Sequence, residues 1–273
     1  MSSISVIVST YNQPLWLQKA LWGFEQQTEK NFELVIADDG STSETLEMIE
    51  AFKKESSLNI IHIWQKDEGF QKTKILNKAI QASSGDYIIF TDGDCIPRYD
   101  LVATHKAQRT EGCFLSAGYL KLPMELSRKI SKTDIVNGNC FDAKWLLDHG
   151  FKKTFKLNKL TASGIKEKFL NTLTPTNPSW AGNNVSGWRK DVLAVNGFDE
   201  RMQYGGEDRE LGERLINNGI KPLQIRYSTV TIHLDHSRGY VTKEMIVKNK
   251  AIRKETKKNK SVWTNYGIEK GTA

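Results

Sequence analysis

The stretch Tyr-Ile-Ile-Phe-Thr-Asp-Gly-Asp, residues 87–94, decides how the rest of the chain is interpreted. Its first half is an apolar run typical of a buried strand, and Asp92 and Asp94 follow where that strand should end. Two carboxylates one residue apart can both turn toward a divalent cation there, because Mg²⁺ and Mn²⁺ prefer oxygen ligands. Asp-Gly is also a common turn pair, so an ordinary surface turn is the alternative.

The first half of the chain alternates between two hydrophobic periods. Runs rich in β-branched residues predict strands, and segments with apolar residues on one helical face predict helices. Alternating strands and helices indicate an α/β domain with a parallel sheet, whose ligands bind beyond the carboxyl ends of the strands. The predicted strands are 4–10, 32–37, 59–64 and 87–90, and the predicted helices are 14–26, 43–54 and 72–82.

Polar residues follow these strands where a ligand would bind. The first strand leads into Ser-Thr-Tyr-Asn at 9–12, the second into Asp-Asp-Gly-Ser at 38–41, and the fourth into Asp92 and Asp94. We therefore expect acidic and hydroxyl groups to gather at one edge of the sheet. The first strand is not followed by a G-x-G-x-x-G sequence, which disfavours a dinucleotide-binding fold.

The second half is less regular. Residues 120–178 predict a variable insertion over the site, followed by a helix near 191–195, a helix that ends at Gly219, and short strands near 223–226 and 230–234. We divide the chain into a first half (1–119), a second half of the same domain (120–240) and a basic tail (241–273).

The formal net charge is +7, and it is concentrated in two segments. Residues 243–260 carry eight Lys or Arg against two Glu, and residues 152–168 form a second basic stretch. Such runs are usually solvated helix faces, but they also suit anionic lipids or an acidic substrate. No nucleic-acid-binding motif accompanies them. With three widely spaced cysteines and neither a targeting segment nor a long apolar run, we expect a cytoplasmic protein, peripheral on the inner face of the membrane.

The ordered motifs resemble those of the family 2 glycosyltransferases, which have a GT-A fold. The resemblance rests on residues 5–12, 38–42 and 92–94. The later motifs at 180–184, 197–200 and 205–208 look like the galactosyltransferase-type segment of bacterial chondroitin-polymerase-like enzymes. The whole resemblance covers residues 4–236, with a weak stretch near 120–175. It implies an α/β fold with a mostly parallel, Rossmann-like sheet and a C-terminal acceptor-side subdomain. Residues 1–119 would then be the nucleotide-sugar-binding half, and residues 120–240 the acceptor-binding and catalytic-base half.

The resemblance also implies a donor site. Thr10, Tyr11 and Asn12 would line the uridine pocket, and Asp39 would contact the uracil edge. Core packing for Tyr11 and a helix-capping turn for Asp39 are the alternatives from the residues themselves. Either of two lysines would approach the diphosphate, beside Asp92 and Gly93; these are Lys72 and Lys74.

A histidine near the end of the last strand would complete the coordination of Mn²⁺ or Mg²⁺ by Asp92 and Asp94. His233 fits best by its place in the strand, and His236 is the alternative. Because side chains alternate along a strand and these two are three residues apart, we expect only one of them to bind the metal.

The acceptor side is the last part that the resemblance implies. Asp208 would be the catalytic base of an inverting transfer, with Glu207 and Gly206 placing the acceptor. Trp180 would stack on a sugar ring, although a large aromatic residue is more often part of a core. Acidic residues at a helix start also serve as ordinary caps for the helix dipole, which is the alternative for Glu207 and Asp208.

Together these features predict a metal-dependent glycosyltransferase that moves a sugar from a UDP-sugar to a glycan or glycolipid acceptor. A sugar-phosphate nucleotidyltransferase fits the fold, but it needs a glycine-rich basic loop after the first strand, and residues 9–12 do not form one. A non-catalytic carbohydrate-binding module has no need for Asp92, Asp94 and Asp208 together. The donor sugar, acceptor, linkage and oligomeric state are not legible in the sequence.

Overall fold

The computed structural model describes residues 3–237 and 239–271. In this part of the chain eight strands form one mixed sheet. The four strands predicted in the first half are present, each within two residues of the expected bounds. The strands are β1 Ile4–Thr10, β2 Glu33–Asp38, β3 Asn59–Trp64, β4 Tyr87–Asp92, β5 Cys95–Pro97, β6 Cys113–Lys121, β7 Val185–Trp188 and β8 Lys221–His233.

The sheet has the order β3-β2-β1-β4-β7-β6-β8-β5. The first four strands in this order are parallel, which matches the predicted strand–helix alternation. β7 runs antiparallel to both β4 and β6, β8 is parallel to β6, and β5 is antiparallel to β8. The parallel half and the mixed half meet at β4 and β7, so the strand that ends in Asp92 lies in the middle of the sheet.

Helices cover both faces of the sheet. In β1, Ile4, Val6 and Val8 pack on one face and Ile7 packs on the other, because side chains alternate along a strand. The described helices are α1 Pro14–Glu25, α2 Ser43–Glu55, α3 Lys72–Ala82, α4 Leu101–Gln108, α5 Met124–Lys129, α6 Lys132–Val136, α7 Ala143–Asp148, α8 Asn158–Thr161, α9 Gly164–Leu173, α10 Arg189–Ala194, α11 Glu207–Asn217 and α12 Lys243–Asn259.

The second half differs from the prediction in two places. The two short strands expected near 223–226 and 230–234 are one long strand, β8, whose pairing with β6 skips from Ile225 to Val230. Residues 120–178, expected to be less regular, contain the short helices α5 to α9. The buried side chains of this segment, including Leu126 and Leu146, form an apolar cluster with Ile96 of β5.

The predicted basic tail is a folded element. α12 packs against α11 and buries Asn249, Ile252 and Thr256 on its inner face. Thr256 Oγ1 donates to Glu210 of α11 at 2.9 Å. Within residues 3–237 and 239–271, no helix is long and apolar enough to cross a bilayer.

Candidate functional site

The carboxyl ends of β1, β2 and β4 form the edge predicted from the sequence. The amide of Asp39 donates to the Thr10 carbonyl at 3.0 Å, and the amide of Gly93 donates to the Ser9 carbonyl at 2.7 Å. A Cβ on Gly93 would lie 3.0 Å from that carbonyl oxygen and 3.3 Å from Thr10 Cβ. Glycine therefore lets the β4 turn approach the end of β1 closely.

Asp39 is a buried carboxylate at this edge. It accepts hydrogen bonds from Gln65 Nε2 at 2.6 Å and from the Gln71 amide at 2.8 Å. Burial raises the pKa of Asp39 to about 6. The neighbouring Asp38 accepts from the Ser41 amide and faces a ring nitrogen of His62. Asp38 thus has a structural environment, in keeping with the choice of Asp39 for the base contact, which stays a prediction.

The side chains after β1 have different surroundings. The Tyr11 hydroxyl, on a side chain that is 42% exposed, donates to Asp67 at 2.9 Å. Asn12 has a positive φ of 46°, and its side-chain oxygen accepts from the Thr42 amide at 2.8 Å. The Thr10 hydroxyl is buried and has no hydrogen-bond partner among the described residues. Core packing is therefore wrong for Tyr11, which borders solvent, whereas Asn12 is already engaged in a turn.

Only one of the two candidate lysines reaches the acidic edge. Lys72 Nζ, at the start of α3, lies 2.7 Å from Asp92 Oδ1, which also accepts from the Ser9 hydroxyl at 2.8 Å. Burial lowers the pKa of Lys72, but nearby carboxylates outweigh burial and hold it well above its ordinary value. Burial raises the pKa of Asp92, but Lys72 holds it below its ordinary value. Lys74 instead lies at the surface, 3.8 Å from Glu68.

Asp94 and two histidines form a separate group. Asp94 Oδ2 lies 3.0 Å from His236 Nε2 and 3.8 Å from His233 Nε2. Both rings face Asp94, because the strand ends at His233 and alternation no longer applies to His236; that only one of them binds the metal stays a prediction. Carboxylate and imidazole donors together suit Mn²⁺. The Cys95 thiol lies close by, but burial raises its pKa well above its ordinary value, so it is a poor ligand for a hard cation.

Two further carboxylates open α11 opposite Lys72. Glu207 accepts from the Gly205 amide at 2.8 Å, and Asp208 Oδ2 accepts from the Gly182 amide at 3.1 Å. Asp208 Oδ1 is buried and has no hydrogen-bond partner in the described residues. Burial, reinforced by the charge of Asp208, raises the pKa of Glu207 to about 7, and burial also raises the pKa of Asp208.

Gly182 and Gly206 give this turn its shape. A Cβ on Gly182 would lie 2.8 Å from both carboxylate oxygens of Asp208, so a larger residue would displace that group. Gly206 has a φ of 94°, which side-chain-bearing residues rarely adopt, and Arg253 of α12 lies against it. These contacts explain the glycines but do not test a role for Gly206 in acceptor binding.

The stacking role predicted for Trp180 is wrong for this structure. Its side chain is fully buried and packs edge-on against Phe90 and Phe114, with ring centroids 5.5 and 5.4 Å away. It also lies against Gly187 and Gly212, which leave room for the indole. Trp180 therefore belongs to the core beneath the site, as the alternative interpretation held.

Three aromatic residues beside the site were not predicted from the sequence. Phe70, Tyr204 and Tyr240 come from separate loops, and their ring centroids lie 5.6 to 5.9 Å apart. Tyr204 directly precedes the Gly205–Gly206 turn, and Tyr240 is 40% exposed. Their positions in weakly patterned loops gave no periodic signal, although the position of Tyr204 before two glycines and two acids could have been noticed.

Two family models match the chain. Residues 5–108 match the model described as glycosyl transferase family 2, and residues 171–237 match the model described as the N-terminal domain of galactosyltransferase. The first match contains Asp39, Lys72 and the Asp92–Asp94 pair. The second contains Glu207 and Asp208 together with both histidines.

Relatives of known sequence agree with these matches. The chain is 30% identical over 264 residues to YfnE of Bacillus subtilis, described as an uncharacterized glycosyltransferase, covering 85% of this chain and 64% of that protein. It is 27% identical over 243 residues to chondroitin synthase of Escherichia coli, covering 80% of this chain and 33% of that protein. The chain thus spans less than two thirds of either relative.

Among solved structures, GalNAc-T7 with UDP, GalNAc and Mn²⁺ has a similar fold. The TM-score is 0.63 at 16% sequence identity, and the match covers 94% of this chain and 48% of the other. At this identity the likeness concerns the fold, and it confirms the predicted GT-A architecture.

Proposed function

We propose that this chain, which belongs to the family 2 glycosyltransferases, is a metal-dependent inverting enzyme. It would transfer a sugar from a UDP-sugar to a saccharide or lipid-linked saccharide in the synthesis of cell-surface polysaccharide or lipopolysaccharide. The observation that carries the proposal is that acidic side chains from two distant segments of the chain act on Lys72. Asp92 lies within hydrogen-bond distance of its ammonium, and Glu207 and Asp208 from a distant part of the chain act on it electrostatically.

Two groups of residues would bind the donor: a set of metal ligands, and Lys72. Asp94, His233 and His236 would hold Mn²⁺ or Mg²⁺, and Asp92 is their predicted fourth partner from the same turn. A bound divalent ion would neutralise the negative charge of the departing nucleoside diphosphate. Lys72 adds a positive charge beside Asp92 and is well placed to bind a phosphate oxygen as a point charge. The similar GalNAc-T7 structure, which contains UDP and Mn²⁺, supports this assignment.

The base is Asp208 in this proposal. Its Oδ1 has no partner among the described residues, while the Gly182 amide holds Oδ2 in place. Because burial raises the pKa of Asp208, the ionised carboxylate is a stronger base than an exposed one. It would take the proton from the acceptor hydroxyl as that oxygen attacks the anomeric carbon. Glu207, held by the Gly205 amide, would bind the acceptor sugar beside it.

The base pocket would distinguish uridine from other nucleosides. Asp39 is buried and keeps its carboxylate at the end of β2, where an N–H donor of uracil could compete with Gln65 for it. Tyr11 and Thr10 lie next to it on the β1 turn. The chondroitin synthase relative supports a polysaccharide product, and the identity of the donor sugar is a matter for the assay.

Binding and hydrolysis of a panel of UDP-, GDP- and CDP-sugars with Mn²⁺ test the proposal directly. We expect one UDP-sugar to be turned over by the wild type, with loss of turnover in EDTA and in Asp94→Ala. Asp148→Ala is the matched control, because that carboxylate is exposed and distant in sequence from the site residues. If no sugar nucleotide binds in a metal-dependent way, the proposal is contradicted. That result would favour a non-catalytic carbohydrate-binding module.

We also propose that α12 gives the protein peripheral contact with an anionic membrane from the cytoplasmic side. Lys250 and Lys254 are exposed on α12 and have no ion-pair partner among the described residues. Deleting the segment would also remove the hydrogen bonds from Asn249 to the Gln203 carbonyl and from Thr256 to Glu210 of α11, so point variants are the better test. Lys250→Ala with Lys254→Ala should weaken binding to phosphatidylglycerol vesicles at low salt, and unchanged binding would refute the contact.

A further inference from the structure

Helix α9 presents its apolar face to solvent. Ile165, Phe169 and Leu173 are 88%, 60% and 60% exposed, and their spacing places them in one stripe along the helix. The face toward the protein carries Leu170 and two polar residues, Glu167 and Asn171, all partly buried. The Asn171 side chain accepts from the Tyr227 amide at 2.9 Å and donates to Ser228 Oγ at 3.0 Å. A helix on a globular protein normally buries its apolar stripe, so α9 has the opposite orientation.

Exposed lysines lie on α9 beside this stripe and in the segment that precedes α9 in the chain. Lys166 and Lys168 are exposed on α9 itself, and Lys152, Lys153 and Lys156 are exposed in the segment that precedes it. Phe155, between these lysines, is 66% exposed. The one carboxylate of α9, on Glu167, is only partly exposed. An outward apolar stripe edged by cations is the composition of helices that lie in a membrane interface.

We propose that α9 and the basic segment 152–156 dock on an anionic bilayer surface. The apolar side chains would enter the boundary between head groups and acyl chains, and the flanking lysines would contact lipid phosphates. With ten residues, α9 can lie in the interface but cannot cross a membrane. The excess of lysines complements an anionic lipid surface, whereas a neutral apolar protein surface would leave these charges without partners.

α12 does not present an apolar stripe of this kind to solvent. Its Ile252 is buried, and its Ile246 packs against Gly205, so these two apolar residues serve the fold. Val247 is exposed at 67%, without a neighbouring apolar stripe. α9 therefore supplies the apolar contact that α12 does not.

A short segment of chain connects α9 to Gly182, which contacts the proposed base Asp208. After Leu173 the chain reaches Gly182, whose amide holds Asp208, without forming another helix or strand. Docking of α9 would keep the acceptor side of the site near the bilayer, which fits a lipid-linked saccharide as acceptor; this last step rests on the proposed function. Binding to vesicles needs no turnover, so the two proposals can fail separately.

The test measures partition of the full chain into vesicles made of equal parts phosphatidylglycerol and phosphatidylcholine. Ile165→Gln, Phe169→Gln and Leu173→Gln are combined, because Gln forms helices well and these side chains make no core contact. We expect the partition coefficient to fall about tenfold or more, and wild-type binding to weaken in salt and on pure phosphatidylcholine. The control combines Leu46→Gln and Ile216→Gln, which remove exposed apolar side chains from α2 and α11.

Unchanged melting temperatures check that the variants are folded. Loss of binding in the α9 variant with retention in the control supports the proposal. Wild type that does not bind anionic vesicles, or an α9 variant that binds like wild type, overturns it. Loss of binding only in the Lys250 and Lys254 variant assigns the contact to α12 instead. A dimer in sedimentation that the α9 variant converts to monomer would show that a second copy covers this face, and would also overturn the proposal.

Discussion

Replacing Glu207 by Gln should make the protein more stable at about pH 8 and leave its stability nearly unchanged at about pH 4. Burial raises the pKa of Glu207 from 4.5 to about 7. Between these two values the folded protein retains a proton that the unfolded chain has released. Folding there takes up a proton, so the stability of the wild type falls as the pH rises through this interval and stays lower above it. Gln carries no charge at any pH and removes this loss.

The magnitude follows from the same two values. A change from 4.5 to about 7 corresponds to about 3 kcal/mol at about 1.4 kcal/mol per pH unit. Glu207 is only 6% exposed, so solvent screening removes little of this effect. The charge of Asp208 contributes to the raised pKa of Glu207, so part of the gain belongs to the pair. We expect the variant to gain about 2 to 3 kcal/mol above pH 7.

Urea denaturation at a series of pH values, in EDTA, measures this difference. Asp39, whose pKa is also raised, contributes the same slope to both proteins and cancels in the comparison. Glu47→Gln, on the exposed face of α2, is the control and should follow the wild type at every pH. Parallel curves for wild type and Glu207→Gln would refute the view that a buried, ionised Glu207 destabilises the protein.

Asp208→Asn should lower kcat about 10²- to 10⁴-fold with little change in donor KM, measured by initial rates on the UDP-sugar that the panel identifies. Lys72→Met should raise donor KM about tenfold or more and also shift the pH dependence of kcat, whereas Lys74→Met should stay within about twofold of wild type, because Lys74 lies at the surface. Trp180→Ala should cost about 3 to 5 kcal/mol in urea denaturation, because it empties a closely packed core position; a loss below about 1 kcal/mol would contradict the core assignment.

The elements that could be predicted from the sequence are those fixed by local pattern. β1, β3 and α3 were predicted at their observed bounds, because a run of β-branched residues or an apolar helical face is visible without the rest of the chain. The acidic edge followed from the same pattern, since residues after parallel strands must share one side of the sheet. The start of α3 at Lys72 is also visible locally, because the helix was predicted from its apolar face. The contact of Lys72 with Asp92 joins two different elements.

The errors concern features that depend on tertiary structure. Strand alternation predicts that His233 and His236 face opposite ways, but β8 ends at His233, so the rule does not apply to His236. Nothing in the sequence marks that end. Trp180 lies in a loop among polar residues, and its buried site is formed by residues of other elements. Phe90, Phe114, Gly187 and Gly212 surround its indole. The docking of α12 depends on Asn249 and Thr256, polar residues that a hydrophobic pattern does not identify as buried.

Lys72 links the two matched segments electrostatically. Its Nζ contacts Asp92 from the family 2 segment, and the charges of Glu207 and Asp208 from the galactosyltransferase-type segment raise its pKa as well. In turn, Lys72 lowers the proton affinity that burial gives those two carboxylates. Removing the ammonium should therefore do more than weaken phosphate binding: the pKa of the proposed base should rise, and the pH at which kcat reaches half its maximum should rise with it. A Lys72→Met enzyme with higher donor KM but an unshifted pH profile would show that donor and base sites are electrostatically independent.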